Sequence, residues 1–177
     1  MRLFVGIPLA NELTSELETF IGQLRAPDDQ LRWSAPAGWH ITLQFLGSAS
    51  SEQCECVKSQ LATLRPPRFP IQLVSPGFFD RAGVFFVGVA VSPDLAALQS
   101  RVVDATQACG FSSEDRPYHP HITLARAKRS GSTLTRLKAR LRSQPRFSGF
   151  IAREFLLYES FPDPCGSRYE VRGSFSF

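Results

Sequence analysis

The tetrapeptide His-Ile-Thr-Leu occurs twice in this chain of 177 residues, at 40–43 and at 121–124. The two copies use two of the three histidines in the chain. An imidazole titrates near neutral pH, so a neutral ring accepts a proton while a second, charged ring donates one. Threonine hydroxyls donate hydrogen bonds to phosphate oxygens as charge develops there. The pair predicts phosphoryl chemistry without a nucleophilic side chain or a metal, and a strained cyclic phosphate suits it.

Alternating apolar and polar residues around each copy predict a β-strand, over 39–47 and 118–126. Residues two apart on a strand point to the same face, so each histidine projects together with its threonine. The isoleucine and leucine of each copy then face the core. If the two strands face one cleft, two imidazoles and two hydroxyls converge there. The candidate catalytic residues are His40, Thr42, His121 and Thr123.

Strand parity also makes predictions for the residues beside each copy. Phe45 shares its parity with Ile41, so it is expected in the core. Arg126 has the opposite parity to His121 and reaches its face only if the strand ends or carries a bulge. His119 shares a face with His121, and it either supports that residue or belongs to the preceding turn.

The chain contains an internal duplication. Residues 4–7 match 86–89 at an offset of 82, and the two tetrapeptides match at an offset of 81. Two copies are too few for a solenoid. We therefore expect one domain, 1–177, built of two similar lobes that correspond to repeat units of about 1–75 and 84–160 and are related by a pseudo-twofold axis.

The remaining pattern predicts an α+β fold in which two antiparallel sheets are flanked by helices and the cleft lies between the lobes. Asn11 and Ser92 are the expected N-caps of two helices. Further helices are predicted over 51–64 and 132–142. The other predicted strands cover 3–9, 69–74, 84–91, 153–161 and 168–177.

Composition limits where the protein works. With 43% hydrophobic residues the chain can bury a substantial core. No apolar run approaches the ~18 residues that span a bilayer, so no membrane partner is expected. Residues 1–8 are interpreted as a first strand and not as a signal peptide. We therefore expect a cytoplasmic protein, and a monomer is the default oligomeric state.

The cysteines agree with a reducing compartment. None of them forms a CxxC pair, and zinc-ribbon spacing is absent. Neighbours two apart in a helix point away from each other, which separates the first two. We interpret all four as free thiols: Cys54, Cys56, Cys109 and Cys165.

Positive charge is concentrated in one segment. The net charge is +4, and residues 126–146 contain eight basic residues and no acid. Such a tract favours a polyanionic partner, although a solvated basic helix face is the plainer interpretation. The family resemblance described below implies RNA as this partner, and we then expect the tract to guide an RNA backbone into the cleft.

The chain resembles the 2H phosphoesterase superfamily, and most closely the bacterial RNA 2',3'-cyclic phosphodiesterases, also called LigT-like or 2'-5' RNA ligases. The resemblance is carried by residues 2–8, 31–33, 40–47 and 116–126. It implies a bilobal α+β fold and hydrolysis of 2',3'-cyclic phosphate ends to 2'-phosphate ends without a metal or other cofactor. The implied partners are RNA with such ends or small cyclic nucleotides.

The resemblance also implies individual roles. His40 is then the proton donor and His121 the proton acceptor, while the two threonines hold the phosphate. Arg126 adds positive charge there. Aromatic residues near the cleft, Tyr118 and Trp33, are candidates for stacking on a base.

Three alternatives remain open. In the first, the enzyme acts on another cyclic phosphate or a 2'-5' linkage, or ligates by the reverse reaction. In the second, the protein is a metal hydrolase that uses His40, His119 and His121 as zinc ligands. In the third, it is an RNA-binding module that has lost catalysis and binds RNA tightly without turnover.

Overall fold

A computed structural model describes residues 1–27, 29–113, 116–127, 132–142, 144–163 and 166–177. Strands and helices alternate along most of the chain, as the periodicity predicts. Their bounds are β1 (Arg2–Pro8), α1 (Asn11–Leu24), β2 (Leu31–Trp33), β3 (His40–Ser48), α2 (Ser51–Leu61), β4 (Phe69–Ile71), β5 (Leu73–Phe79), β6 (Val84–Val89), α3 (Pro93–Gln107), β7 (His121–Ala127), α4 (Ser132–Arg140), β8 (Phe150–Ala152), β9 (Glu154–Asp163) and β10 (Gly166–Ser176).

The strands form two main antiparallel sheets, which confirms the predicted α+β class. Sheet A has the order β10-β9-β1-β3, and sheet B has the order β2-β7-β6-β5. Strands β4 and β8 form a separate pair. The sheets exchange strands between the sequence repeats, because β9 joins β1 while β2 from the first half pairs with β7. The β2–β7 pairing makes β7 an inner strand, whereas β3 stays at an edge.

One hydrophobic core serves both sheets. A single cluster of buried side chains includes Val5 and Ile41 from sheet A together with Phe85 and Ile122 from sheet B. Helix α1 adds apolar residues at helical spacing, all of them buried. These are Leu13, Leu17, Phe20, Ile21 and Leu24.

The helix caps only partly follow the sequence expectation. Ser92 is the N-cap of α3, where the backbone N–H of Leu95 donates to its hydroxyl at 3.2 Å, as predicted. Asn11 is not a cap. It is the first residue of α1, and Ala10 precedes it without a side-chain cap. The apolar stripe sets the helix, so the cap contributes little here.

A β-bulge follows each motif at the same place. On β3, Gly6 pairs with Thr42 but Val5 pairs with Gln44, so Leu43 is an extra residue. On β7, the pairs Phe86–Thr123 and Phe85–Ala125 leave Leu124 extra in the same way. The extra residue reverses the side-chain alternation beyond it. The two motifs are thus equivalent in structure as well as in sequence.

The bulges contradict the predicted core position of Phe45 and meet the condition stated for Arg126. Phe45 does not lie in the core: it is 55% exposed, on the face that carries the first motif. Arg126 is exposed and shares the face of Thr123, because the bulge at Leu124 brings its side chain to that face. Parity counted from the sequence missed both bulges because Leu43 and Leu124 are ordinary core residues.

The prediction of four free thiols is wrong for two of the cysteines. Cys56 on α2 and Cys109 just beyond α3 form a disulfide, with 5.8 Å between their Cα atoms. Cys54 is free and buried, and Cys165 lies outside the described residues. Cys54 and Cys56 do point apart as predicted. Only the packing of α2 on α3 brings the second partner, 53 residues away, within bonding distance.

Part of the basic tract attaches α4 to the rest of the protein. Arg140 pairs with Asp29, and Lys138 pairs with Asp80, each at 2.6 Å. Lys128 and Arg129 lie outside the described residues. The tract is therefore partly structural and only partly available to a ligand. Among the described helices, none is both long and apolar enough to cross a membrane.

Candidate active site

The two motifs meet where β3 of sheet A approaches β7 of sheet B. The hydroxyl of Tyr118, just before β7, donates to the backbone carbonyl of Thr42 on β3 at 3.1 Å. His40 and His121 are close enough for the charge of His121 to lower the pKa of His40. Both histidines are partly buried, and so are both threonines of the motifs. The structure therefore places the two motifs on strands that contact each other, with the two imidazoles close enough to interact electrostatically.

Each imidazole is oriented by a backbone carbonyl two residues upstream. The Nδ1 atom of His40 lies 2.7 Å from the carbonyl of Gly38, and that of His121 lies 2.8 Å from the carbonyl of His119. A carbonyl only accepts, so Nδ1 carries the hydrogen in both rings. Nε2 is then the atom that exchanges a proton with a substrate. The role of His119 is thus to support His121 through its backbone.

Burial shifts the titration of both rings. It is the largest cause that lowers the pKa of His40 to about 4, and the charges of His121 and Arg126 lower it further. Burial is also the main cause that lowers the pKa of His121, with contributions from His119 and Arg126. The carbonyl hydrogen bonds oppose these shifts. Both rings therefore disfavour the imidazolium form relative to an exposed histidine.

Aromatic rings pack around His40. The ring centroids of Phe4, Tyr169 and Tyr158 lie 4.6, 5.2 and 5.7 Å from that of His40. Burial raises the pKa of Tyr158 to about 12, so this hydroxyl stays protonated. The aromatic neighbours come from β1, β9 and β10, and no spacing in the sequence links them to the motif.

A different aromatic set packs around His121. Phe79 of β5 and Phe86 of β6 lie 5.0 and 5.2 Å from its ring. On the other sheet, Gly6 takes the place that Phe86 has here, since the two residues pair with equivalent threonines. In the structure, β1 and β6 therefore correspond with a shift of two residues from the match of 4–7 with 86–89 in the sequence. The two halves of the cleft share the His-Ile-Thr-Leu motif, but the residues packed around each histidine differ.

The other predicted binding residues have different locations. Trp33 lies on the core side of β2, where its indole N–H donates to Asp29 at 3.4 Å and its ring meets Phe85 edge-on, so the structure does not bring it to the cleft. Tyr118 lies at the cleft, but its hydroxyl is engaged by the first motif. The exposed aromatic side chain on the face of the first motif is Phe45 instead.

Positive charge comes from Arg126, whose field reaches both histidines. Within the part of the chain that the structure describes, no three His, Cys, Asp or Glu side chains are grouped to hold a metal ion. His119 and His121 have ring centroids 6.3 Å apart. The three-histidine ligand set of the metal alternative is not assembled among these residues.

Comparison with known proteins identifies what this arrangement is similar to. A family model described as the 2'-5' RNA ligase superfamily matches residues 13–160. The RNA 2',3'-cyclic phosphodiesterase of Archaeoglobus fulgidus is 26% identical over 96% of this chain and 97% of that protein. The protein of that name from Bacillus subtilis is 34% identical over 70% of this chain and 69% of its own. The structure of E. coli LigT complexed with 3'-AMP has a TM-score of 0.82 and 26% identity, covering 99% of this chain and 97% of that one.

Proposed function

The chain belongs to the 2'-5' RNA ligase superfamily, and from this premise we propose that it is an RNA 2',3'-cyclic phosphodiesterase that works by two-histidine acid–base catalysis. The observation that carries the proposal is the matched pair of imidazoles. His40 and His121 each donate through Nδ1 to a backbone carbonyl, which leaves Nε2 for the substrate. The names of the relatives supply the substrate class.

The proposed reaction moves one proton through each ring. His121 accepts a proton from water at Nε2 as the water oxygen bonds to phosphorus. The bond from phosphorus to the 3' oxygen breaks, and His40 donates its Nε2 proton to that oxygen. The product keeps its phosphate on the 2' oxygen. The substrate phosphate is anionic, so its binding between the rings favours the protonated form of His40, which burial disfavours.

The phosphate is held from both sheets in this proposal. Thr42 and Thr123 donate to its non-bridging oxygens, and Arg126 adds a positive charge beside them. The polar contacts come from equivalent positions on β3 and β7. Beyond the two threonines the strands differ, because Phe45 on β3 is the structural counterpart of Arg126 on β7.

Phe45 supplies an exposed aromatic face for the nucleobase. Its ring lies 6.0 Å from that of Phe4, which in turn lies 4.6 Å from the ring of His40. Stacking of a base on an aromatic side chain contributes about 1–3 kcal/mol. We therefore place the base over Phe45, in place of the sequence candidate Trp33.

The test is hydrolysis of a nucleoside 2',3'-cyclic phosphate in EDTA between pH 5 and 9, with the product identified by phosphorus NMR. We expect turnover to a 2'-phosphate, lowered by at least about 100-fold in His40→Ala and in His121→Ala, because each variant lacks one proton-transfer group. Thermal unfolding checks that both variants are folded.

Other outcomes would favour the alternatives. Activity that is lost in EDTA and recovered with zinc supports a metal hydrolase. Tight RNA binding that survives His121→Ala without any turnover supports a binding module. The superfamily description favours one further substrate, so a 2'-5'-linked dinucleotide is assayed in parallel. Cleavage of that dinucleotide in preference to the cyclic phosphate would assign the 2'-5' activity.

The cytoplasmic monomer remains part of the proposal. The disulfide removes the argument from reduced cysteines, so the location rests on the RNA substrate class alone. Light scattering should give a mass near 19.7 kDa for the monomer. Cell fractionation tests the location.

A further inference from the structure

Two arginines lie side by side on the cleft face of sheet B. Arg32 on β2 is directly opposite Arg126 on β7, and opposite residues of an antiparallel pair share a face. The neighbours of Arg32 on its own strand confirm the orientation, because Leu31 is buried and Trp33 meets the buried ring of Phe85. Arg32 therefore shares the face that carries the second motif.

Neither guanidinium of this arginine pair has a carboxylate partner within the part of the chain that the structure describes. Both side chains are exposed, and among the described residues neither has an ion pair or a hydrogen bond. Arg140 and Lys138 of the basic tract differ in this respect, because each has a carboxylate partner. Like charges directly opposite each other destabilise a sheet. An anion between the two guanidiniums would remove that repulsion.

The position of Arg32 indicates which anion it binds. The charge of Arg126 lowers the pKa of both histidines, and in the proposed function this residue lies beside the reacting phosphate. Arg32 is one strand further out, about 4.8 Å away, on the edge strand of sheet B. A Cβ at Gly166 would lie 3.9 Å from Cδ of Arg32, so the start of β10 borders this position. The position lies at the edge of sheet B and is bordered by the start of β10.

We propose that Arg32, together with Arg126, binds the phosphate on the 5' oxygen of the terminal nucleoside. This phosphate is the nearest further anion of an RNA end, and a free nucleoside 2',3'-cyclic phosphate lacks it. Arg32 is thus a specificity residue that favours RNA ends over free cyclic nucleotides. The inference rests on the proposed function and adds to it a second phosphate subsite.

The experiment compares two probes that differ in one group, adenosine 2',3'-cyclic phosphate with and without a 5'-phosphate. We expect the parent to prefer the 5'-phosphorylated probe in kcat/KM. Arg32→Ala should lower that preference about tenfold, the effect of losing one charged hydrogen bond. The salt dependence on the 5'-phosphorylated probe should also flatten, because salt then screens one fewer charge pair between protein and substrate.

Two further variants separate charge from fold. Arg32→Lys keeps the charge and should retain most of the salt dependence. Arg101→Ala removes an exposed arginine from α3 and should keep the parental preference, which controls for net charge. An unchanged preference in Arg32→Ala overturns the inference, and so does an equal loss on both probes. If the parent turns over neither probe, the proposed function itself fails, which is a different result.

Discussion

At the scale of single residues, His40 and His121 make the same hydrogen bond in different surroundings. Each imidazole donates to a carbonyl two residues upstream, so the backbone selects the same tautomer twice. Burial then lowers the pKa of both, and the charge of Arg126 lowers both again. In the proposed mechanism a base and an acid arise from one residue type, because the bound substrate anion stabilises one added proton on the pair.

The first prediction concerns the pH profile of kcat/KM, which reports the free enzyme. Since the pKa of each histidine lies below the ordinary value of 6.5, the singly protonated pair should be most populated below that pH. Arg126→Ala removes a positive charge that disfavours imidazolium, so both pKa values rise and the optimum moves to higher pH. We also expect kcat/KM to fall about 10- to 100-fold, because a charged contact to the phosphate is lost.

Arg126→Lys is the matched variant for this prediction. It keeps the charge, so the optimum should stay at the parental pH even if the rate decreases. An optimum that moves to lower pH in Arg126→Ala would contradict the electrostatic account.

At the scale of secondary structure elements, the β-bulges do most to shape the cleft. Each bulge reverses the alternation of its strand, which brings Phe45 and Arg126 to the cleft face. Glycine at position 6 is the complementary feature on the neighbouring strand. A Cβ there would lie 3.0 Å from the carbonyl oxygen of Ile41 and 3.4 Å from Cδ2 of His40. The close approach of β1 to β3 thus seats the first imidazole.

The second prediction follows from that contact. Gly6→Ala should push β1 away from β3 and displace His40, with a stability loss of about 1–3 kcal/mol and a fall in kcat of about tenfold. Gly22→Ala is the matched control, since a Cβ at Gly22 on α1 meets nothing within 4 Å. The control should gain about 0.5–1 kcal/mol and keep its activity. Thermal unfolding and steady-state kinetics measure both. Equal activities in the two variants would contradict the role of Gly6.

At the scale of the whole molecule, a disulfide and a buried hydrogen bond connect the α3 segment to the first half of the chain. The disulfide joins Cys109 to Cys56 on α2. The buried hydroxyl of Thr106 donates to Gln44 at 2.7 Å, directly beside the β3 bulge. The core is continuous between the sheets, so these links act on one cooperative unit.

The third prediction concerns reduction of the disulfide. Its partners are 53 residues apart, and a loop of that length contributes about 4 kcal/mol in the chain-entropy model. We expect dithiothreitol to lower Tm by about 10 °C in a protein of this size. The double variant Cys56→Ser with Cys109→Ser should melt at the same temperature with and without reductant. A parental Tm that ignores reductant would show that the bond does not form.

The sequence alone determined the paired motifs on which the proposed chemistry rests, and the tertiary structure decided which residues surround them. Local alternation was enough to place each histidine with its threonine, because side-chain direction on a strand depends only on neighbouring residues. The helices followed from apolar spacing for the same reason. Phe45, the aromatic rings at His40, the Arg32–Arg126 pair and the disulfide depended instead on strand register and helix packing. Register and packing are set by contacts between residues that are distant in the sequence. Local patterns in a single sequence therefore do not show where a bulge shifts the register.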